Sequence, residues 1–387
     1  MGITMKLYVV MGMLLHVSIL FAEVSDDIDF KMTSIIHNET EQMLGREDDA
    51  TLPRENNSFS TLYAELSLDY DVTENFFLSL GAKGNGVIGE DLYSTPMYLR
   101  TKMTSDDINR VLINEASINY DNNLFALTLG RQEVNFDWLT GSIDGALAMI
   151  GSDDDVSLRL FWFENYRHLQ YNYYMQIEDI NEKKGMYGSV VKVNSYYAEL
   201  TLYDYFVQDL RNISGADISL YFDNVGVNFS YTSAQALALA LYDYDESFLN
   251  VSLEYLYHRH YLELGFSQTG ENGLLAMIQM GSFMFGQFYL SNQVDRENAR
   301  NAYLKYIFAK EKWRFEFIGG QSQYDNNFVR IEHDLSSSEV DIYLKYQYNS
   351  YLGFDMGMMY MDVDERDPLQ VDQALAMFNV VLRYENY

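Results

Sequence analysis

Six histidines and no cysteine occur in 387 residues, which excludes thiolate metal sites, cysteine nucleophiles and disulfide frameworks together. His258 and His260 flank a single arginine between tyrosine-rich stretches, a pattern that fits a solvated tight turn better than a metal pair. His333 and Asp334 are adjacent, and neighbouring residues of an extended chain point to opposite sides. His37 and His168 have no evident partner in the sequence. No Gly-x-Ser-x-Gly, His-Glu-x-x-His or phosphate-loop pattern is present. The run Asp362-Val363-Asp364-Glu365 lacks the glycine and the spacing of a calcium loop. Neither catalysis nor a cofactor is expected. One segment offers chemistry of another kind. Asn135–Gly145 places Trp138, an apolar anchor, between the carboxylates Asp137 and Asp144, with Arg131 before it and Arg159 after it. Opposed charges around such an anchor set a transverse field across a narrow aqueous passage and orient dipolar solutes there. The alternative is an outer loop that simply buries Trp138.

Such a passage needs elements to frame it, and the period of the chain is two. Along Thr61–Tyr70, Leu62, Ala64, Leu66, Leu68 and Tyr70 share one face, opposite Thr61, Tyr63, Glu65, Ser67 and Asp69. The pattern returns along Leu249–Tyr257 and Val340–Tyr348. Alternation of this kind fits strands with one apolar and one polar face, and runs of about ten residues suit tilted strands crossing a bilayer. Charges keep to the polar parity: Glu65, Glu115, Arg159, Arg314 and Lys345 are expected to line an aqueous interior, together with a turned Arg131. Tyr70, Tyr120, Tyr257 and Tyr348 close their apolar stripes beside tight turns, as an interfacial aromatic girdle does. Tight turns (Asp71–Asn75, Asp121–Asn123, Ser152–Asp155, Asp223–Asn224, His258–His260, Ala309–Lys312, Asn349–Tyr351) alternate with long connections such as Asn85–Asn109, Phe206–Gly215 and Gln321–Ser337. The expected fold is all-β, a transmembrane antiparallel up-and-down β-barrel in which the pattern gives eighteen to twenty strands. Ile28–Ile36 is its weak first strand, and Leu274–Leu290 is the least regular pair.

Lys6, an apolar run from Leu7 to Phe21 and a small residue at Ala22 read as a secretory signal over residues 1–22. Residues 23–387 then form one barrel, in which 23–58 hold the first strand and an acidic outer loop. Three prolines against 33 tyrosines and 23 phenylalanines agree with a sheet of long paired strands. A formal net charge of −31 makes nucleic acid an unsuitable partner. The same acidity favours cations inside a low-dielectric channel.

Asn114–Tyr120, a short turn, and Leu127-Thr128-Leu129-Gly130-Arg131-Gln132-Glu133 resemble a stretch of the OprD-like outer-membrane porins, and Thr61–Gly84 is similar to that family's second and third strands. The resemblance implies about eighteen strands (range 16–20) in a Gram-negative outer membrane and a loop at Asn135–Gly145 that folds inward. It also implies passive diffusion of small hydrophilic solutes. Strict alternation puts Arg131 on the lipid side, so a bulge or a rim position must turn it inward. The partners expected are outer-membrane lipids and small solutes or ions, in a homotrimer or a monomer. A barrel whose lumen is blocked by loops, serving as a structural or adhesion scaffold, is the other reading.

Overall fold

The computed structural model describes residues 28–44, 56–91, 110–169, 174–177, 180, 183–237, 245–274, 293–326, 332–367 and 372–386. The first strands are β1 Ile28–Leu44, β2 Asn56–Thr73, β3 Phe76–Asp91, β4 Arg110–Asp121, β5 Phe125–Phe136 and β6 Leu139–Gly151. Next come β7 Val156–Leu169, the short β8 Tyr174–Ile177, β9 Met186–Asn194, β10 Ala198–Val207, β11 Arg211–Phe222 and β12 Val225–Ala236. The chain ends with β13 Glu246–Tyr257, β14 His260–Thr269, β15 Glu297–Lys310, β16 Trp313–Asn326, β17 Glu332–Gln347, β18 Leu352–Val363 and β19 Asp372–Asn386.

Each strand pairs antiparallel with its neighbours, and β1 pairs with both β2 and β19, so the sheet closes on itself. β8 pairs only along the end of β7, and β9 pairs with β7 directly. Eighteen strands therefore form the ring among the described residues, with β8 as an appendage. β1 is longer than its sequence pattern suggests and runs to Leu44. β14 pairs directly with β15; the pair expected over Leu274–Leu290 falls on residues 275–292, which lie outside the described residues, as do 1–22.

The burial of this chain is inverted relative to a soluble protein. Leu80, Leu129, Leu253, Leu264 and Met358 are exposed, while Ser79, Asn119, Ser252, Glu263 and Asp341 are buried. Exposed apolar side chains recurring along most of the strands are stable only when lipid covers them, and buried polar groups facing a common interior suit a wet lumen. Tyr70, Tyr120, Tyr257 and Tyr348 are exposed at the short-turn end, as a girdle requires. The turns at that end are tight, and Asn123, Asp223 and His258 take positive φ there, a conformation that Asn, Asp and His tolerate better than most residues. The alternation also reveals a turn at Ser195–Tyr197 that the sequence reading omits, while the connection expected over Phe206–Gly215 shrinks to the three residues between β10 and β11.

On β10 a charge interrupts the outer face. Asp204 is exposed between Leu202 and Phe206, both also exposed, with Ser189 and Ser214 opposite it on β9 and β11. An outward carboxylate inside the apolar belt is destabilising, by less than the roughly 2–4 kcal/mol of a basic residue at the midplane. Replacing Asp204 with Leu should raise the urea midpoint of the barrel in liposomes by the equivalent of about 1 kcal/mol; an unchanged or lowered midpoint would show that this acid is already satisfied.

Candidate pore constriction

The segment expected to fold inward as a loop is instead a β-hairpin. Asn135 and Phe136 end β5, Leu139 to Gly145 belong to β6, and only Asp137 and Trp138 form the turn. The correction has a physical origin. Phe136 pairs with Leu139 and Asn135 with Thr140, so the ladder satisfies backbone groups that a loop inside the lumen would leave to water.

Directly opposed residues of a hairpin share a face. Gln132 with Ile143, Val134 with Gly141 and Phe136 with Leu139 form one face, and all six are buried. Arg131 with Asp144, Glu133 with Ser142 and Asn135 with Thr140 form the other, which is polar. Two of its members are joined directly, Thr140 Oγ1 donating to Asn135 Oδ1 at 2.9 Å.

The hairpin leaves the wall. β4 begins at Arg110, yet its pairing with β5 stops at Ala116 opposite Arg131, and the remainder of β5 is held by β6 alone. Gly130 and Gly145 face each other at the bend. Gly130 has φ +112°, and a Cβ there would collide with Ala116 O; a Cβ on Gly145 would collide with Trp162 O. Only glycine permits this close approach.

Beyond the bend the apolar face lies against the inner wall. Val134, Phe136, Leu139 and Ile143 join Phe161, Phe163, Tyr205, Ile213 and Phe248 in one buried cluster. Phe136 stacks on Phe161 with ring centroids 5.2 Å apart. Trp138 is 1% exposed, and its Nε1 donates to Thr232 Oγ1 at 2.8 Å and to Tyr203 Oη at 3.1 Å, with Phe248 edge-on at 5.9 Å. The tip thus reaches β10, β12 and β13 from a root between β4 and β7, so it lies inside the barrel. Trp138 has φ +62°, a strained value for a bulky residue. Its two hydrogen bonds and its burial hold it there.

The charges pair differently from the sequence expectation. Asp144 does not face Arg159. It accepts from Arg131 Nε at 2.5 Å and Nη2 at 2.9 Å, from Arg167 Nη1 at 2.7 Å and from Asn165 Nδ2 at 3.1 Å. The β5–β6 register sets Arg131 opposite Asp144, and an irregularity between Asp144 and Gly145 brings Asn165 alongside. Arg159 instead pairs with Asp153 near a short turn, while its guanidinium lies 5.8 Å from the Phe136 ring centroid. Arg131 keeps its outward parity and needs no inward turn, because the strand itself departs after it. Asp137 sits half-buried in the turn, beside the tip.

The remaining expected residues lie away from the tip. Glu65 accepts from Tyr63 Oη at 3.0 Å and lies 3.2 Å from Lys83 Nζ, which also pairs with Glu133 of the hairpin. Glu115 stands opposite Gly81 on the same side of the barrel. Arg314 donates to Glu316 Oε2 at 3.1 Å and stands opposite Lys345, itself opposite Asp355. These last belong to the short-turn mouth and not to the constriction. Sequence reasoning missed Arg167, Asn165, Tyr203 and Thr232; the polar residues among the stripes of β10 and β12 were the only signal.

The chain is a closed antiparallel β-barrel of eighteen strands among the described residues, with an amphipathic hairpin laid inside it. No family model matches the sequence, and comparison with curated proteins finds no match. In structure the chain is similar to solved bacterial proteins, among them an outer membrane protein. The outer membrane protein OpdK of Pseudomonas aeruginosa aligns at 10% identity and TM-score 0.73, over 93% of this chain and 99% of that one. OccAB1 of Acinetobacter baumannii aligns at 11% identity and TM-score 0.76, over 94% and 97%. OpdK solved with vanillate aligns at 11% identity and TM-score 0.72, over 93% and 99%. At these identities the likeness shows the fold alone, a closed antiparallel barrel.

Proposed function

We propose that this chain is an outer-membrane porin of a Gram-negative bacterium, through which small hydrophilic solutes diffuse passively with a weak preference for cations. One observation carries the reading: an eighteen-stranded ring leaves an aqueous lumen, and the hairpin β5–β6 lies within it, apolar face to the wall and polar face to the passage. Arg131, Asp144, Asp137 and Trp138 belong to the narrowing, and Arg159 supports it through Phe136.

The cation preference is supported by the lumen charges. Around the single amine of Lys83 stand Glu65 and Glu133, with Asp69 and Glu115 on the same wall. OpdK has been solved with an aromatic carboxylate, and the acidic surroundings of Lys83 argue for a different preference in this chain.

Purified protein in a planar bilayer tests both parts. Removing Trp138–Ser142 should raise single-channel conductance while the barrel still assembles, and the reversal potential in a salt gradient should carry the sign of cation preference, weakening as salt screens the lumen. Unchanged conductance would remove the hairpin from the pathway, and anion preference would overturn the charge assignment.

A further inference from the structure

Where β5 turns into the lumen, the wall loses a ladder. The segment Arg110–Glu115 of β4 pairs with β3 but not with β5, whose continuation has left the sheet. On the far side of this seam stand β6 and β7, still paired as far as Ser142 opposite Arg167. Backbone groups at such an edge are costly to leave unpaired in an apolar setting. Side chains cross the seam instead. Arg131 donates Nη1 to the Ile113 carbonyl of β4 at 2.9 Å, while its Nε and Nη2 fork onto Asp144 of β6. Asp144 is bound in turn by Arg167 and Asn165 of β7. A single guanidinium thereby ties β4 to β6, and one carboxylate ties β6 to β7. The arrangement is partly buried, with Arg131 and Asp144 side chains 24% and 23% exposed. Val111 and Ile113, the outward residues of the unpaired segment, are 85% and 55% exposed, so the seam opens toward the lipid side.

We propose that Arg131 is the latch of the hairpin: its bonds to Asp144 and to the Ile113 carbonyl close the seam between β4 and β6–β7 and fix the angle at which the hairpin enters the lumen. It acts as a positioning residue. Five planar N–H donors in a fixed fork can satisfy a carbonyl and a bidentate carboxylate together, whereas the lysine ammonium, a point charge, cannot hold that geometry. The tip is held by Trp138 and the root by Arg131, and the root sets the lever. The inference rests on the reading that the hairpin narrows the pore.

Single-channel recording of assembled barrels, checked by their heat-modifiable mobility, tests the latch. Arg131→Gln and Asp144→Asn should each populate additional conductance levels about tenfold or more above the native frequency, given the usual strength of hydrogen bonds between charged groups. Arg131→Lys should resemble Arg131→Gln although it keeps the charge, which separates positioning from electrostatics. Steady native conductance in Arg131→Gln and Asp144→Asn would overturn the latch. So would full rescue by lysine, since that would reduce Arg131 to a charge. The deletion of Trp138–Ser142 keeps the two readings apart: if it raises conductance while the Arg131 variants stay silent, the constriction stands and the latch falls. If the deletion changes nothing, the constriction itself falls.

Discussion

Trp138→Ala should free the hairpin tip and convert a steady channel into one that fluctuates toward larger conductance. Burying an indole and then removing it from a packed site costs about 3–5 kcal/mol in ordinary cores. Two hydrogen bonds, to Thr232 and Tyr203, are lost with it. Against this, the φ of +62° at Trp138 is strain that the native residue pays for, on the order of 1–3 kcal/mol, and alanine in that conformation is still strained. Trp138→Gly removes the strain as well as the anchor, so it should fluctuate less than Trp138→Ala. A cysteine placed at Val134, buried under the hairpin, reports the release: a water-soluble thiol reagent should label it in the Trp138 variants and not in the parent. Slow labelling in both, with native conductance, would show that the cluster around Phe136 and Ile143 holds the hairpin without its tip.

The second large effect concerns membrane insertion. Leu253 is 49% exposed, with Leu264 and Val227 directly opposite on the adjacent strands, and faces lipid. Leu253→Arg puts a guanidinium in the apolar belt and should destabilise the folded barrel in liposomes by roughly 2–4 kcal/mol. Glu254, one residue along, faces the lumen, where Asn228 Nδ2 donates to its Oε1 at 2.6 Å. Glu254→Arg should assemble nearly as well as the parent, and it should shift the reversal potential toward anions. Equal damage at both positions would contradict the membrane assignment.

The wall was legible in the sequence because lipid on one side and water on the other impose a strict period of two. Thr61–Tyr70 and Leu249–Tyr257 fall on strands with the expected outward residues. The hairpin was harder to see. Gly141, Gly145, Asp137 and Asp144 have the composition of a loop, yet Val134 and Phe136 still alternate with Glu133 and Asn135, and that alternation was the trace of β5 continuing. Partner choice was not legible at all. Arg159 has the right charge and parity for Asp144, but contact depends on the β5–β6 register and on the irregularity beside Asp144, and neither leaves a local mark. Asp204 escaped for another reason: in the sequence it stands between Tyr203 and Tyr205, and only the parity of its strand, with Leu202 and Phe206 exposed on either side, shows that it faces out.

The closure of the ring by β1 and β19 has a consequence for how the molecule comes into being. Fifteen residue pairs join these two strands, from Phe30 opposite Asn386 to Leu44 opposite Asp372. Midway, His37 Nδ1 and Asn379 Oδ1 lie 2.6 Å apart, a contact between positions 342 residues apart in the chain. Every other neighbouring pair in the ring can form from nearby sequence, whereas this one must wait for the last strand to be made. Until then two strand edges stay bare, a state that apolar lipid penalises and that invites pairing with other chains. Closing the ring is therefore the pairing of largest sequence separation among the described strands, a late zippering step between β1 and β19 that carries the greatest loop-closure cost of the barrel.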